Sequence, residues 1–193
     1  MPLAGVVEIS PNKFNPDFLY LQEFYHPKDE DSIEYLKEYP HRMFMDMWYR
    51  KKGAMIASKK PFEYTQVAGE HHVNYGELKV HPVHFNSFSP TKRHVEARKV
   101  IKNFSKTKKT IVFGDTNIWN KRNSFLFSKD KHTYRSLKDS FVDVSKECTS
   151  TTFMGFGLDK IFTSTDMVVQ RIESPKVRGK FMDHYPIYVD VLH

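Results

Sequence analysis

Hydrophobic and polar residues alternate with two different periods along this chain. Apolar, β-prone runs between Gly, Pro, Asn and Asp residues predict short strands over residues 18–23, 42–49, 54–58, 62–67, 71–75 and 78–85. Because the last five runs follow one another at short spacing, we expect consecutive antiparallel strands that form much of one sheet. Between residues 91 and 105, apolar residues recur at helical spacing and predict an amphipathic helix with basic residues outside.

A buried strand is predicted at residues 111–113, and the polar tetrapeptide Gly114-Asp115-Thr116-Asn117 follows it. Asp115 and Asn117 are two residues apart, so both side chains can point to the same side where the strand ends. A carboxylate beside a carboxamide suits a phosphate and an attacking water. The tetrapeptide is equally typical of an ordinary turn with Asx hydrogen bonds, so by itself it leaves both interpretations open.

The rest of the chain carries weaker patterns. They predict short helices at residues 29–38 and 134–140, and strands at residues 141–144, 157–162 and 186–191. The strand at 157–162 contains Asp159 among apolar residues, and a buried carboxylate needs a partner. His184, just before the closing strand, offers one.

Composition and charge narrow the class of protein. The chain has 193 residues with 30 Lys and Arg against 23 Asp and Glu, a net charge of +7. This balance favours a polyanion as partner, although a merely basic, solvated surface explains it as well. Cys148 is the only cysteine, which excludes a disulfide framework and fits a reducing compartment. Without a long apolar run or a signal-peptide pattern, we expect one intracellular domain over residues 1–193, with no membrane anchor.

Two further groups of residues invite a functional interpretation. His81 and His84 are three apart on a predicted strand and point to opposite faces, so at most one of them faces a site. Trp119 is followed by the cations Lys121 and Arg122, a combination that can stack on a base and bind phosphate. Packing of Trp119 on the core is an equally good interpretation.

Several short motifs occur in a characteristic order. They are Leu21-Gln22-Glu23, the G-x-x-I-x-S-K pattern of residues 53–59, Val83-His84-Phe85, Gly114-Asp115-Thr116-Asn117, Leu158-Asp159-Lys160-Ile161-Phe162 and Asp183-His184-Tyr185-Pro186. In this order they resemble the endonuclease/exonuclease/phosphatase superfamily from about Asn15 onwards. Most members of the superfamily have phenylalanine at the position of Thr116. With threonine there, the motif looks like that of the 5′-tyrosyl-DNA phosphodiesterase branch.

The resemblance implies an α+β fold of the DNase I type. Two mixed β-sheets would pack as a sandwich with flanking helices, and the site would lie at one rim of the sandwich. The superfamily opens with a strand that carries an Asn. Because only about fourteen residues precede Asn15, we expect this first strand to be missing or divergent.

The resemblance also implies hydrolysis of a phosphate ester with Mg²⁺, or Mn²⁺ in its place. Glu23 would be the metal ligand, and Asp183 would act through the water shell of the metal. Trp119, Lys121 and Arg122 would contact the substrate. We expect nucleic acid as the substrate and a monomeric protein.

Five residues would carry out the chemistry that the resemblance implies. Asp115 would orient or deprotonate the water, and Asn117 would fix that water or a phosphate oxygen. His184 would stabilise charge on the phosphoryl oxygens, and Asp159 would hold the His184 ring. His84 would contact the phosphate.

Three functions are therefore compatible with the sequence. The first is a metal-dependent phosphodiesterase acting on nucleic acid, with a 5′-tyrosyl-DNA adduct as one candidate substrate. The second is a catalytically impaired relative that only binds nucleic acid. The third is another enzyme of the superfamily, such as an abasic endonuclease, a deadenylase, or an inositol or sphingolipid phosphodiesterase.

Overall fold

A computed structural model describes most of the chain. It covers residues 16–25, 34–49, 52–67, 70–119, 128–148, 151–152, 154, 156–176 and 184–192. The predicted absence of a first strand concerns residues 1–15, which lie outside this part of the chain. Within the described part, no helix combines the length and the apolar character needed to cross a bilayer.

A mixed six-stranded sheet forms the centre of the fold. Its strands are β4 (Glu63–Val67), β5 (Glu70–Tyr75), β6 (Leu78–His84), β7 (Thr110–Asp115), β8 (Val142–Asp143) and β9 (Asp159–Thr163). They lie in the order β4-β5-β6-β7-β9-β8, and only β6 and β7 run parallel. A parallel pair needs a long crossover, which helix α1 (Pro90–Phe104) provides between these two strands.

The remaining strands form two antiparallel sheets. One has the order β1-β3-β2, from β1 (Phe18–Tyr25), β2 (His41–Tyr49) and β3 (Lys52–Ser58). The other pairs β10 (Val168–Glu173) with β11 (Tyr188–Leu192). The prediction that the five strand runs between residues 42 and 85 are consecutive neighbours in one antiparallel sheet was therefore wrong. Because β3 has β1 on one side and β2 on the other, it has no edge left for β4, and the chain passes to the second sheet.

The main core lies between the sheets. Side chains from both sheets meet there, among them Ile56 of β3 and Val73 and Val80 of the six-stranded sheet. Val191 of β11 packs against the same core. The other face of the six-stranded sheet is covered by α1 and by α2 (Ser128–Ser140). These layers give the α+β sandwich with flanking helices that the resemblance implies.

A buried ion pair joins the two helices. Arg93 of α1 donates to both carboxylate oxygens of Asp130 of α2, at 2.9 and 2.7 Å, and both side chains are almost fully buried. The same guanidinium also donates to the backbone carbonyls of Asn86 and Ser87. Arg93 therefore fixes the loop after β6 to the helical layer.

The predicted helix at residues 91–105 is confirmed by α1 to within one residue at each end. Helix α2 begins six residues before the prediction for this region. Two of its buried positions are Asp130 and Thr133, so its inward face is partly polar and the hydrophobic period is hidden. No pattern predicted β10, in which half of the side chains are exposed.

Candidate active site

Three strand ends bring charged side chains to one rim of the central sheet. Asp115 at the end of β7 is in register with His84 of β6 and with Asp159 of β9. Side chains in register on adjacent strands lie on the same face, so the three residues are neighbours. His84 Nε2 lies 3.8 Å from Asp115 Oδ2. His81 instead packs on Phe104 on the other face, with ring centroids 4.2 Å apart, so one of the two histidines faces this rim.

Asp115 and Asn117 form a tight hydrogen-bonded unit. The Asn117 backbone N–H donates to Asp115 Oδ1 at 2.8 Å, and Asn117 Nδ2 donates to Oδ2 at 3.0 Å. Nδ2 also donates to the carbonyl of Phe85 at 3.0 Å. Asn117 adopts a left-handed conformation with φ of 50°. The Asx turn and the rim of charged side chains are thus one structure, and the two interpretations of the tetrapeptide do not exclude each other.

Asp159 and His184 form the second unit of the rim. His184 Nδ1 lies 2.7 Å from Asp159 Oδ2. An isolated β-bridge between Thr152 and His184 holds the histidine backbone. The Thr151 hydroxyl accepts from the Asp159 backbone N–H at 3.1 Å, so both members of the pair are fixed by the same segment. A carboxylate at Nδ1 orients the imidazole and leaves Nε2 as the nitrogen that can act on a ligand.

Gln22 connects the two sheets immediately behind Asp115. Its Nε2 donates to the carbonyl of Val83 at 2.7 Å, and its Oε1 accepts from the Asp115 backbone N–H at 3.0 Å. Gly114 leaves space for this amide. A Cβ on Gly114 would lie 2.1 Å from the Val83 carbonyl oxygen and 2.9 Å from Gln22 Nε2.

The sequence interpretation did not assign this role to Gln22 or to Gly114. The available signal was a polar amide within the apolar strand β1, directly before Glu23. That pattern marks an unusual strand, but it does not say which backbone groups the amide reaches.

Burial dominates the electrostatics of the rim. Asp115 is 8% exposed, and the pKa of its carboxyl group is raised from 3.8 to about 6. Burial is the largest cause of this net rise, and the neighbouring Asp159 carboxylate adds to it, whereas His184, His84 and the Asn117 N–H oppose it. Asp115 can therefore exchange a proton near neutral pH, as a general base must.

The residues predicted to bind a metal at this rim are not fully described by the structure. Glu23 belongs to β1, next to Gln22, but the structure does not describe its side chain, and Asp183 lies outside the described residues. Among the residues that are described, no three His, Cys, Asp or Glu side chains converge on a common point. Asp115 and Asp159 nevertheless bring two carboxyl groups to the same rim, and carboxylate oxygens are the donors that Mg²⁺ prefers.

The predicted substrate contacts are only partly visible. Trp119 packs on Phe156, with ring centroids 4.5 Å apart, and both residues are half-buried. Its contact with a substrate stays a prediction. Its backbone N–H lies 3.4 Å from Asp130 Oδ2, so the buried ion pair also reaches this loop. Lys121 and Arg122 lie outside the described residues.

Comparison with known proteins shows similarity in structure rather than in sequence. No protein-family model and no curated protein sequence matches the chain. The 3′ phosphatase NExo from Neisseria superposes with a TM-score of 0.74 at 14% identity, over 93% of this chain and 90% of that one. An AP endonuclease from Archaeoglobus fulgidus gives a TM-score of 0.66 at 17% identity, over 92% and 90% of the two chains.

A mannosyl-6-phosphatase from Bacteroides thetaiotaomicron gives a TM-score of 0.67 at 15% identity, over 95% of this chain and 88% of that one. Other neighbours of similar score are described as endonuclease/exonuclease/phosphatase proteins. The chain therefore has the endonuclease/exonuclease/phosphatase fold, and the resemblance of its motifs is confirmed at the level of the fold. The tyrosyl-DNA phosphodiesterase branch stays a prediction.

Proposed function

We propose that this protein is a Mg²⁺-dependent hydrolase that cleaves a phosphodiester bond in nucleic acid. The observation that carries the proposal is the pair of hydrogen-bonded units, Asp115 with Asn117 and Asp159 with His184, on one rim of this fold. A module that only binds has little use for a buried carboxylate whose pKa is raised towards neutrality.

The residues of the rim would divide the work of hydrolysis. Asp115 accepts a proton from the attacking water, and Asn117 keeps the Asp115 carboxylate in place through its two hydrogen bonds. His184, oriented by Asp159, stabilises the negative charge on the phosphoryl oxygens, either by donating a hydrogen bond or as a protonated imidazole. His84, next to Asp115, contacts the phosphate from the other side.

Glu23 would hold the metal, with Asp183 acting through its water shell. When bound, Mg²⁺ or Mn²⁺ would neutralise charge on the phosphate and so make it accessible to an anionic nucleophile. The assignment of Glu23 rests on the resemblance, and Gln22 places the backbone of this segment of β1 beside Asp115.

Net charge and structural neighbours support nucleic acid as the substrate. The excess of seven positive charges attracts a polyanion. One neighbour is bound to a product DNA hairpin, and another is an AP endonuclease. A third neighbour is a mannosyl-6-phosphatase, so a small phosphate ester belongs in any test of substrate class.

A panel of substrates would test the proposal. The purified protein would be assayed with and without Mg²⁺ on single-stranded DNA, RNA, an abasic duplex, a 5′-phosphotyrosyl oligonucleotide, mannose 6-phosphate and bis(p-nitrophenyl) phosphate. We expect Mg²⁺-dependent cleavage of at least one nucleic acid, and release of tyrosine would identify the branch. Hydrolysis of mannose 6-phosphate alone would move the substrate to sugar phosphates. No hydrolysis of any of them would favour the binding-only function.

The pH dependence of turnover provides a separate prediction. Asp115 must be ionised to accept a proton, and its pKa is raised to about 6 in the metal-free protein. Because a bound Mg²⁺ would lower this pKa, we expect kcat to increase with pH below neutrality, with a midpoint at or below about 6, and then to level off. Initial rates in overlapping buffers at constant ionic strength would measure this. A rate that is constant down to pH 4.5 would contradict the role of Asp115 as the base.

A further inference from the structure

Positive charge is concentrated on the two helices that cover the central sheet. Helices α1 and α2 contain nine of the 30 Lys and Arg residues but only three of the 23 Asp and Glu residues. They therefore carry a net charge of about +6, close to the whole excess of the protein, in roughly one seventh of its length. We call the solvent-facing side of these two helices the helical surface.

Few acidic groups offset this charge at the helical surface. Asp130 is buried and is used by Arg93. Glu96 is half-buried and accepts the backbone N–H of Asn86 at 2.8 Å. Asp139 is the remaining carboxylate of the two helices, and it is exposed. From the neighbouring β5, Glu70 lies 3.8 Å from Lys99.

An open groove of about 760 Å³ runs between the helices in this surface. Arg98, Lys99 and Lys102 of α1 lie along one side of it, and Asp139 of α2 is the acidic residue of its lining. The imidazole rings of His94 and His132 stack across the groove with centroids 5.2 Å apart. Cations beside flat rings and apolar side chains are the combination with which proteins bind a nucleic-acid strand.

We propose that the helical surface binds the sugar-phosphate backbone of a nucleic acid outside the rim where cleavage takes place. This inference rests on the proposed function for the identity of the polyanion. Helices of 15 and 13 residues are about 20 Å long, which spans several successive phosphates. A flat anionic membrane does not require a groove, so the shape of this surface favours a strand.

Helix α1 begins close in the chain to the rim of the candidate active site. Only five residues separate His84 at the rim from the start of α1. Arg93 and Glu96 hold the loop between them through the backbone of Asn86. Because α1 leads away from this loop, a strand with one phosphate at the rim would extend along the helix towards Arg98 and Lys102. Longer substrates would then gain binding energy that a short substrate cannot.

Binding of a labelled 30-nucleotide single strand would test the inference. The variant Arg98→Gln/Lys102→Gln removes two exposed cations that are four residues apart on α1 and keeps good helix-forming residues. The matched control Lys60→Gln/Lys108→Gln removes two exposed cations outside the helices. Fluorescence anisotropy between 50 and 300 mM salt would give the affinity and its salt dependence for each protein.

We expect the helical variant to bind about 5- to 10-fold more weakly at low salt, with the slope of log K against log salt reduced by about 1.4. The control should bind like the parent protein. Equal binding by the two variants would overturn the inference. A loss confined to anionic phospholipid vesicles, with DNA binding intact, would also overturn it and assign the surface to a membrane.

Activity measurements separate this inference from the proposed function. Both variants should hydrolyse bis(p-nitrophenyl) phosphate at the parental rate, whereas the helical variant should show a raised KM for the 30-nucleotide strand only. If the parent hydrolyses nothing while its DNA binding depends on Arg98 and Lys102, the proposed activity fails and the helical surface stands.

Discussion

Replacing Asp115 with Asn should lower kcat by about 10²- to 10⁴-fold, the range that general-base catalysis contributes. The substitution preserves the size of the side chain and one acceptor oxygen, so the 2.8 Å hydrogen bond from the Asn117 backbone can persist. What is lost is the group that accepts a proton near neutral pH. Steady-state kinetics on the best substrate of the panel would measure the effect, and KM should change much less than kcat.

The same substitution should stabilise the metal-free protein at neutral pH. The pKa of Asp115 is about 6 in the folded protein against an ordinary value of 3.8, so between these values the folded state binds a proton that the unfolded state lacks. The free energy of unfolding of the parent therefore falls as the pH rises through this range. The carboxamide that replaces the carboxyl group does not ionise, so the variant avoids a cost of about 3 kcal/mol at pH 7. It also loses the hydrogen bond that Asp115 Oδ2 accepts from Asn117 Nδ2, at every pH. We therefore expect the variant to be more stable than the parent by about 1 kcal/mol or more at pH 7 and less stable than the parent at pH 4.

Melting temperatures in EDTA across pH 4 to 8 would reveal this crossover. Asp139→Asn is a suitable control, because Asp139 is an exposed carboxylate on α2, away from the rim. Loss of activity without a pH-dependent gain in stability would mean that Asp115 is not a buried base. A variant that keeps more than a tenth of the parental kcat would exclude the catalytic role.

The sequence predicted well those features in which local pattern and tertiary structure agree. Helix α1 has an apolar stripe, a Ser89 cap and Pro90 at its start, and its limits were predicted to within one residue. The opposite faces of His81 and His84 followed from the two-residue period of a strand. Asp115 was predicted where its strand ends, and it is the last residue of β7. Asp159 was predicted inside a strand of residues 157–162, whereas β9 begins with it.

Features set by long-range contacts were not predictable in this way. The buried face of α2 is polar because Asp130 binds Arg93, which is 37 residues away in the sequence. The chain passes from one sheet to the other after β3 because β3 lies between β1 and β2 and has no edge left to pair with β4. Gln22 and Asp115 are 93 residues apart, and no local pattern links them. In each case a contact distant in sequence decided the structure.

The connection through Gln22 explains why the rim tetrapeptide begins with glycine. Gly114 has a φ of 135°, a conformation that other residues rarely adopt, and it faces the Val83 carbonyl that Gln22 binds. A larger residue would separate the strands where Asp115 and His84 must stay in register. The pairing of β6 with β7 and the proposed chemistry of Asp115 therefore depend on the same position.

Gly114→Ala should consequently reduce both stability and activity. The new Cβ would lie 2.1 Å from a backbone oxygen that cannot move without disturbing the β6 and β7 pair. Strain at φ and this clash together should cost about 3 kcal/mol or more. Urea unfolding would measure the loss, and kcat at a temperature where the variant is folded should fall because Gln22 no longer positions the Asp115 backbone.

Gly76→Ala separates conformational strain from the clash. Gly76 also has a positive φ, of 60°, but a Cβ there would meet no atom within 4 Å. It should therefore cost only about 1 to 2 kcal/mol and leave kcat unchanged. If the two variants lose the same free energy of unfolding, the close contacts of Gly114 with Gln22 and Val83 do not contribute to the cost of the substitution. A loss of activity confined to Gly114→Ala would instead show that the connection between the sheets holds the catalytic carboxylate in place.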